Sequence, residues 1–414
     1  MVMKHFSHLN TATQIVQQYE GKEPLHHYLK SFFSQHKKFG SKDRKSISHL
    51  CYLFYRVARG FPDAFANLDQ DIIQQKILTG LFLCSYEPNE LLAAIKPTWN
   101  ENIMLGFFEK AVIIQNEIGG KAFDVKDIFP ATHELSHGIN EEPFILSHLE
   151  QPDLFIRVRP GHLDAVIERL KNLEVMYEFI PESAVRLPNG FKIQDHFEFD
   201  RQVVVQDLSS QKVGQFIQLV TEEKSNLNGN QVKNENRPIV VWDCCAASGG
   251  KSIMAKDILR SIDLTVSDVR KSILINLKRR FETAKIKSYK SFIADLSSDN
   301  YKPGNTTYDL IIADLPCTGS GTWSRTPEQM YFFQPETIAN YNRLQKKILD
   351  NTIPHLKESG KLLYVTCSVF KKENEDVIEY VRDKFQLKLE RMEVLTGYDK
   401  KADTLFAALL SRLH

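Results

Sequence analysis

Cys317 and Cys367 each stand just beyond a short apolar run that reads as a buried strand. Tyr308-Asp309-Leu310-Ile311-Ile312-Ala313-Asp314 precedes the first, and Lys361-Leu362-Leu363-Tyr364-Val365-Thr366 precedes the second. In an open parallel α/β sheet the ligand lies beyond the carboxyl ends of the strands, so two thiols at those ends would share one cleft. A thiolate is a strong nucleophile, and a pair of them points to covalent chemistry on a soft electrophile. A buried structural cysteine is the alternative for any thiol. It suits Cys51, Cys84 and Cys244. It suits poorly a cysteine held in Asp314-Leu315-Pro316-Cys317-Thr318-Gly319-Ser320-Gly321 or in Thr366-Cys367-Ser368.

A second group of residues points to what else enters that cleft. Asp243-Cys244-Cys245-Ala246-Ala247-Ser248-Gly249-Gly250-Lys251-Ser252 follows the strand candidate Ile239–Asp243. Its small residues let a ligand approach the backbone and the N-terminus of the next helix. A phosphate-binding P-loop would need glycine where Cys245 stands, and no G-x-G-x-x-G is present. A tight strand-to-helix turn with no ligand is the plain alternative. Asp268, Asp295 and Asp314 then close successive strand candidates. Each alone could be a helix cap or turn residue. An acid ending the second strand is, however, where a ribose is gripped through its hydroxyls. Three acids behind a glycine-rich first turn favour a nucleoside cofactor without a phosphate chain, which describes S-adenosylmethionine better than NAD or ATP.

The elements that must position these groups form a strand–helix alternation after Pro238. Strands are expected at Ile239–Asp243, Leu264–Asp268, Ser291–Asp295, Asp309–Asp314 and Lys361–Thr366, with a final edge strand at Thr404–Leu410. Apolar strands separated by helices argue for a doubly wound parallel sheet. Ahead of it, Leu154–Pro160, Phe191–Ile193 and Val203–Val205 read as short strands and His162–Leu173 as a helix, a small α+β unit over 151–225. The polar stretch Thr221–Arg237 reads as a flexible insertion before a sheet domain spanning 226–414. Residues 1–120 read as helical, with Leu50, Leu53, Phe54 and Val57 at helical spacing behind a cap at Gly40–Arg44. Residues 121–150, with Pro130, Gly138 and Pro143, read as a linker.

Bulk properties bound the rest. The 414 residues suffice for two or three domains with real cores. No apolar stretch approaches the roughly 20 residues that span a bilayer, and the first residues lack the apolar core of a secretion signal. The six cysteines form no C-x-x-C pair, so neither a metal site nor a disulfide framework is expected, and reduced cytoplasmic thiols fit best. The net charge of +1 is uninformative, but residues 1–60 hold ten Lys/Arg against three acids. Such a segment suits a polyanion such as nucleic acid; a solvated helix face is the alternative.

Asp-Cys-Cys-Ala-Ala-Ser-Gly-Gly-Lys, Asp-Leu-Pro-Cys-Thr-Gly-Ser-Gly and Val-Thr-Cys-Ser, in this order, resemble the Sun/Fmu-type RNA (cytosine-5) methyltransferases. Val205–Gln211 looks like the segment that family carries before its catalytic domain, so the resemblance covers about 155–414. It implies an α/β class I S-adenosylmethionine-dependent methyltransferase domain with a Rossmann-like doubly wound sheet and a small RRM-like subdomain. The N-terminus, with Asp43-Arg44-Lys45, is similar to the all-α NusB-like domain of the ribosomal RNA members. By this resemblance Cys367 is the nucleophile, Cys317 assists product release, Asp314 holds the base edge and Lys251 orients or charge-stabilises that group. The cofactor would rest on Cys245, Ala246, Ala247, Ser248, Gly249, Gly250, Lys251, Asp268, Asp295 and Asp314. The implied substrate is RNA, small-subunit ribosomal RNA first and transfer RNA as alternative, with a monomer as default; a catalytically idle assembly factor is the competing class. Two departures stand out. Ser248 occupies the family's usual proline position, and Arg159 stands where asparagine is common. DNA cytosine methyltransferases attack with a Pro-Cys thiol, which would make Cys317 the nucleophile.

Overall fold

The computed structural model describes residues 2–62, 65, 69–118, 123–226, 237–301 and 304–412, which divide into two compact units. One unit comprises Met1–His133, Asn140–Gln151 and Trp323–Pro335. Its helices are α1 (Val2–Gln18), α2 (Leu25–Gln35), α3 (Ser41–Val57), α4 (Gln70–Leu83), α5 (Glu90–Ile95), α6 (Pro97–Glu101), α7 (Phe107–Ile118) and α8 (Glu141–Ser147). The break read at Gly40–Arg44 is a cap: Gly40 N donates to Asp43 Oδ2 at 3.1 Å. Behind it Ile47, Leu50, Leu53, Phe54 and Val57 turn one apolar face of α3 into the core. Buried Arg56 fastens two distant segments to this helix, donating to His148 O at 2.6 Å and to Ser324 O at 2.8 Å. Within 123–150, part of the stretch read as a linker, Phe129, Phe144 and Ile145 are buried and α8 forms.

The second unit comprises Glu134–Ile139, Pro152–Thr322 and Glu336–His414. It begins with β1 (Leu154–Val158), α9 (Leu163–Asn172), β2 (Glu178–Ile180), β3 (Ala184–Leu187) and β4 (Val203–Val205), an antiparallel sheet of order β2-β3-β1-β4. Phe191–Ile193 was expected as a strand, but Ile193 opens a 3-10 turn instead, and the pairing partners of β1 are β3 and β4. A chain this short between turns offers no period to read, so β2 and β3, three and four residues long, escape the sequence pattern.

Next come α10 (Leu208–Asn226), β5 (Ile239–Asp243), α11 (Gly250–Leu259), β6 (Ile262–Asp268), α12 (Lys271–Thr283), β7 (Lys290–Ile293) and β8 (Tyr308–Asp314). The chain ends with α13 (Pro327–Phe332, in the helical unit), α14 (Glu336–Thr352), β9 (Leu356–Thr366), α15 (Glu375–Phe385), β10 (Leu387–Leu395) and β11 (Leu405–Arg412). Of the stretch read as a flexible insertion, 221–226 continues α10, and 227–236 lies outside the described residues. The sheet order is β10-β11-β9-β8-β5-β6-β7, parallel from β9 to β7 and antiparallel at β10 and β11. Both faces are covered. Leu310, Ile312, Leu363 and Val365 enter one core, while Ile311, Ala313, Leu362 and Tyr364 enter the other. The expected edge strand is corrected: β11 pairs with both β9 and β10. Its six consecutive buried residues, Leu405 to Leu410, already required cover on both faces.

Candidate active site

The order β9-β8-β5-β6 sets four carboxyl ends side by side, and the chain reverses direction of build-up at the β8/β5 boundary, where open sheets bind ligands. Cys367 follows β9, Cys317 follows β8, the Cys244–Lys251 loop follows β5, and Asp268 ends β6. The two sulfurs are 3.3 Å apart. They are therefore one chemical site, as their positions beyond the two strands implied.

Close backbone packing holds them there. Gly321 N donates to Cys367 O at 2.9 Å, and Gly321 O accepts from Thr404 N at 2.9 Å. A Cβ on Gly321 would lie 1.8 Å from Thr404 O, so only glycine lets the Cys317 loop approach β11 this closely. Between the two loops sits Glu373, fully buried. Its carboxylate accepts from Thr318 N at 2.8 Å, Thr318 Oγ1 at 2.7 Å, Ser368 Oγ at 2.8 Å and Gln345 Nε2 at 3.3 Å. Asn374 adds a bond to Ser368 O at 2.9 Å.

Lys251, in the first turn of α11, reaches across to Asp314 at the end of β8, with Nζ 2.5 Å from Oδ2. Burial alone would lower the Lys251 pKa, but the Asp314 carboxylate, and then Cys367 and Asp243, hold it above its ordinary value. The Cys317 thiol is pushed well up, first by its bond to Cys367, then by burial, and further by the charges of Cys367 and Glu373. Asp243 is buried at the end of β5, where Oδ2 accepts from Ser252 Oγ at 2.6 Å; desolvation raises it to about 7.

The loop after β5 turns through Ala247 at φ 45° and Gly249 at φ 84°. A Cβ on Gly249 would meet Phe281 Cε1 at 2.6 Å, whereas one on Gly250 would meet nothing within 4 Å, so one glycine is packed against α12 and the next faces open space. Asp268 accepts from Ala247 N at 3.0 Å and from Arg270 N at 2.9 Å. Arg280 donates to Ser248 O at 3.0 Å and Ser248 Oγ at 2.8 Å while paired with Asp200, at 2.6 Å. The residue in the family's proline position is thus held by a hydrogen bond where a ring would stiffen the turn. Arg159, the other departure, pairs with Asp257 at 2.8 Å.

Not every residue singled out from the sequence joins this cluster. Asp295 lies two residues past the end of β7, is exposed, and accepts from Ser297 N and Oγ at 3.0 and 2.6 Å. Cys244 is buried in the core with Trp242, as its structural alternative held. Sequence reasoning missed Glu373, Thr318, Ser368 and Asn374. Thr318 and Ser368 adjoin the two cysteines, which was the available signal; Glu373 sits in Lys371-Lys372-Glu373-Asn374-Glu375, which looks like a solvated charge run.

Comparison with known proteins fits this geometry. Residues 230–407 match the family model described as 16S rRNA methyltransferase RsmB/F. Over these residues the sheet domain is similar to the RsmB/F methyltransferases. The ribosomal RNA small subunit methyltransferase B of Photorhabdus laumondii is 29% identical over 242 residues, 56% of this chain and 52% of that protein. The chain spans about half the length of the first curated relatives it matches. Among solved structures, PH0851 superposes with a TM-score of 0.69 at 18% identity, over 97% of this chain and 98% of that one. NSun6 from Pyrococcus horikoshii, solved with the S-adenosylmethionine analogue SFG, gives a TM-score of 0.54 at 15% identity over 66% and 94%. The sheet is that of the class I methyltransferases, as expected, and S-adenosylmethionine is the family's methyl donor. Among the described residues no helix is long and apolar enough to cross a membrane.

Proposed function

We propose that this protein methylates carbon 5 of a cytidine in RNA, small-subunit ribosomal RNA in particular, through a covalent thioether to Cys367. The observation that carries this reading is the 3.3 Å approach of two sulfurs beside an ion-paired lysine and aspartate at the carboxyl ends of β8, β9 and β5.

The residues present fit S-adenosylmethionine. The small-residue turn at Cys245–Gly250 leads into the N-terminus of α11, where a Cβ on Gly250 would meet nothing within 4 Å, leaving room for a ligand beside the backbone. Each Asp268 oxygen accepts one backbone N–H, and the exposed Arg270 guanidinium lies against both at 3.1 and 3.4 Å, so a ribose hydroxyl would take the place of Arg270 on the carboxylate. Bound there, the cofactor would supply an electrophilic methyl group. Asp295 is assigned the adenine side, where it would have to turn from Ser297.

Carbon 5 of cytosine is too poor a nucleophile to take that methyl unaided. The Cys367 thiolate adds to carbon 6, forming a C–S bond and placing electron density on carbon 5. Asp314, with Lys251 behind it, holds the base edge at N3 during the addition. With Cys367 now a neutral thioether, Cys317 gives its own proton to solvent and as thiolate takes the proton of the methylated carbon 5; the C–S bond breaks, and the ring double bond, the Cys317 thiol and the Cys367 thiolate are restored. The base must leave its stack to enter such a cleft, which suits a loop of structured RNA. Lys30, Lys37, Lys38, Lys42 and Lys45 are exposed on α2, α3 and the turn between them, and support an RNA-binding role for the helical unit. Six unpaired cysteines fit a reducing cytoplasm.

The test is the fate of the adduct. Cys317→Ala is expected to accumulate a covalent RNA–protein complex on denaturing gels, and Cys367→Ala to form none. The reverse pattern would transfer the attack to Cys317, and no adduct with any variant, together with no 5-methylcytosine by bisulfite sequencing, would end the proposal.

A further inference from the structure

We propose that Glu373 is a positioning residue that locks the two sulfur-bearing loops into a single reaction site. Cys317 and Cys367 belong to separate loops, fifty residues apart in sequence, and no covalent link or regular ladder joins the loops beyond the strand ends. Thr318, the residue after Cys317, gives Glu373 both its backbone N–H and its hydroxyl; Ser368, the residue after Cys367, gives its hydroxyl. One carboxylate therefore spans the residues adjoining both thiols. A hydroxyl relay closes the ring: Thr318 Oγ1 lies 3.2 Å from Ser320 Oγ, which lies 3.2 Å from Ser368 Oγ. Gln345 Nε2 braces the carboxylate from α14 while also donating to Pro316 O at 3.0 Å.

The clamp is itself fixed. Tyr364 OH, from within β9, donates to Glu373 O at 2.5 Å, and Asn374 ties Ser368 O to Thr366 Oγ1. A fully buried carboxylate with four donors is not incidental: its desolvation is repaid only if those donors stay in place. Removing it leaves two backbone-adjacent hydroxyls and a buried amide without their acceptor. The Gly321 N–Cys367 O bond and the hydroxyl contacts of Ser320 are then left to join the loops, so that the two thiol-bearing segments loosen relative to each other. Glu373 touches neither substrate nor cofactor in this scheme, so it acts through the loops.

The proposal rests on the function proposed above for the meaning of kcat, but not for the position of the thiols, so two readouts are needed. The first is thiol pairing without substrate. Diamide takes two electrons and two protons from adjacent thiols and is reduced to its hydrazine, leaving a Cys317–Cys367 disulfide that peptide mass spectrometry can time. Pairing is expected to be fast in the unaltered protein and at least about tenfold slower in Glu373→Ala. The second is kinetic: kcat should fall on the order of 10²-fold, as for a small misplacement of reacting groups, with KM for S-adenosylmethionine unchanged. Glu373→Gln can accept from Thr318 N at one end and donate to the two hydroxyls at the other, and should restore both readouts to within severalfold. If the alanine variant does not fold, Thr318→Val, which deletes the 2.7 Å bond, should slow pairing about tenfold, the size of one lost hydrogen bond to a charged group. Rapid pairing and unchanged kcat in the alanine variant, or unchanged pairing in the valine variant, would overturn the clamp. Absence of methylation by the unaltered protein, with pairing altered as expected, would instead remove the proposed function and leave the clamp.

Discussion

Asp243 makes the stability of the sheet depend on pH in a direction opposite to most carboxylates. It closes β5 at 1% exposure, its Oδ2 accepts from Ser252 Oγ, and its Oδ1 has no hydrogen-bond partner among the described residues. Burial outweighs the Ser252 bond, and with the neighbouring charges of Asp314, Lys251 and Asp268 the group titrates at about 7 in the folded chain. An unfolded aspartate titrates near 3.9. The folded state thus binds more protons, so its advantage is full below about pH 4 and is lost as pH rises through about 7. Between pH 6 and pH 8 the folded carboxyl goes from about nine-tenths to about one-tenth protonated, and integrating that difference gives a loss of about 1.4 kcal/mol, a factor of about ten in the opening equilibrium. Hydrogen exchange of peptides spanning β5, corrected for the intrinsic pH dependence of exchange, reads this locally and needs no two-state assumption for a chain of two units. Protection should fall about tenfold from pH 6 to pH 8 in the unaltered protein and stay level in Asp243→Asn, which keeps an acceptor for Ser252 but cannot ionise. An equal fall in the asparagine variant, or a rise in the parent, would refute the reasoning.

Gly249→Ala must adopt φ near +84° with a Cβ 2.6 Å from Phe281, so it combines about 1–2 kcal/mol of backbone strain with a clash; calorimetry should show S-adenosylmethionine affinity reduced at least about tenfold, and an unchanged Kd would deny that the loop holds the cofactor. Ser248→Ala removes the 2.8 Å bond from Arg280, worth about 1 kcal/mol at a half-buried site, and should raise Kd for the cofactor severalfold while leaving kcat alone; equal effects on both would place Ser248 in the chemistry instead. Lys251→Met leaves the Asp314 carboxylate without its cation and should abolish the covalent adduct on Cys317→Ala protein; persistent adduct would show the lysine dispensable for attack.

Legibility from sequence tracked burial. β5, β8 and β9 could be read because strands covered on both faces are nearly unbroken apolar runs, and the residues just beyond each run fall at the ligand end of the sheet. Hence the cysteines, Lys251, Asp268 and Asp314 were identifiable as neighbours although they come from four separate segments. β10 was not read: Leu387-Lys388-Leu389-Glu390-Arg391-Met392-Glu393 mixes charge with apolar residues, and its face rests partly on Arg391 lying over Phe216. Asp295 is grouped with the other two acids because the third strand reads as Ser291–Asp295, but β7 ends at Ile293, level with Asp268, and Asp295 lies beyond it. Glu373 was invisible for a deeper reason. A carboxylate is legible as functional when it ends an apolar strand; one that is fully buried by donors from three other segments carries no local mark, because the burial is created by residues far away in sequence.

Two identical thiols 3.3 Å apart cannot do two different jobs unless something breaks their equivalence. They can share at most one negative charge at this distance, so the question is which sulfur carries it when substrate arrives. The charges around them are unequal. The Lys251 ammonium, held protonated by Asp314, interacts with Cys367, whereas the Glu373 carboxylate adds its negative charge to the forces that keep Cys317 a thiol. A thiolate on Cys317 would sit against the Glu373 field; one on Cys367 would sit with the Lys251 field. This inequality supports the proposed mechanism, in which Cys367 attacks and Cys317 takes the proton, although the Pro-Cys sequence by itself would have suggested the opposite. The same carboxylate that clamps the two loops thus also tells the two sulfurs apart, and Glu373→Gln, which retains the clamp and removes the charge, separates those roles. Its adduct should still form on Cys367, but the proportion of Cys317 alkylated by iodoacetamide in the free enzyme should rise; if it does not, the asymmetry must come from Lys251 alone.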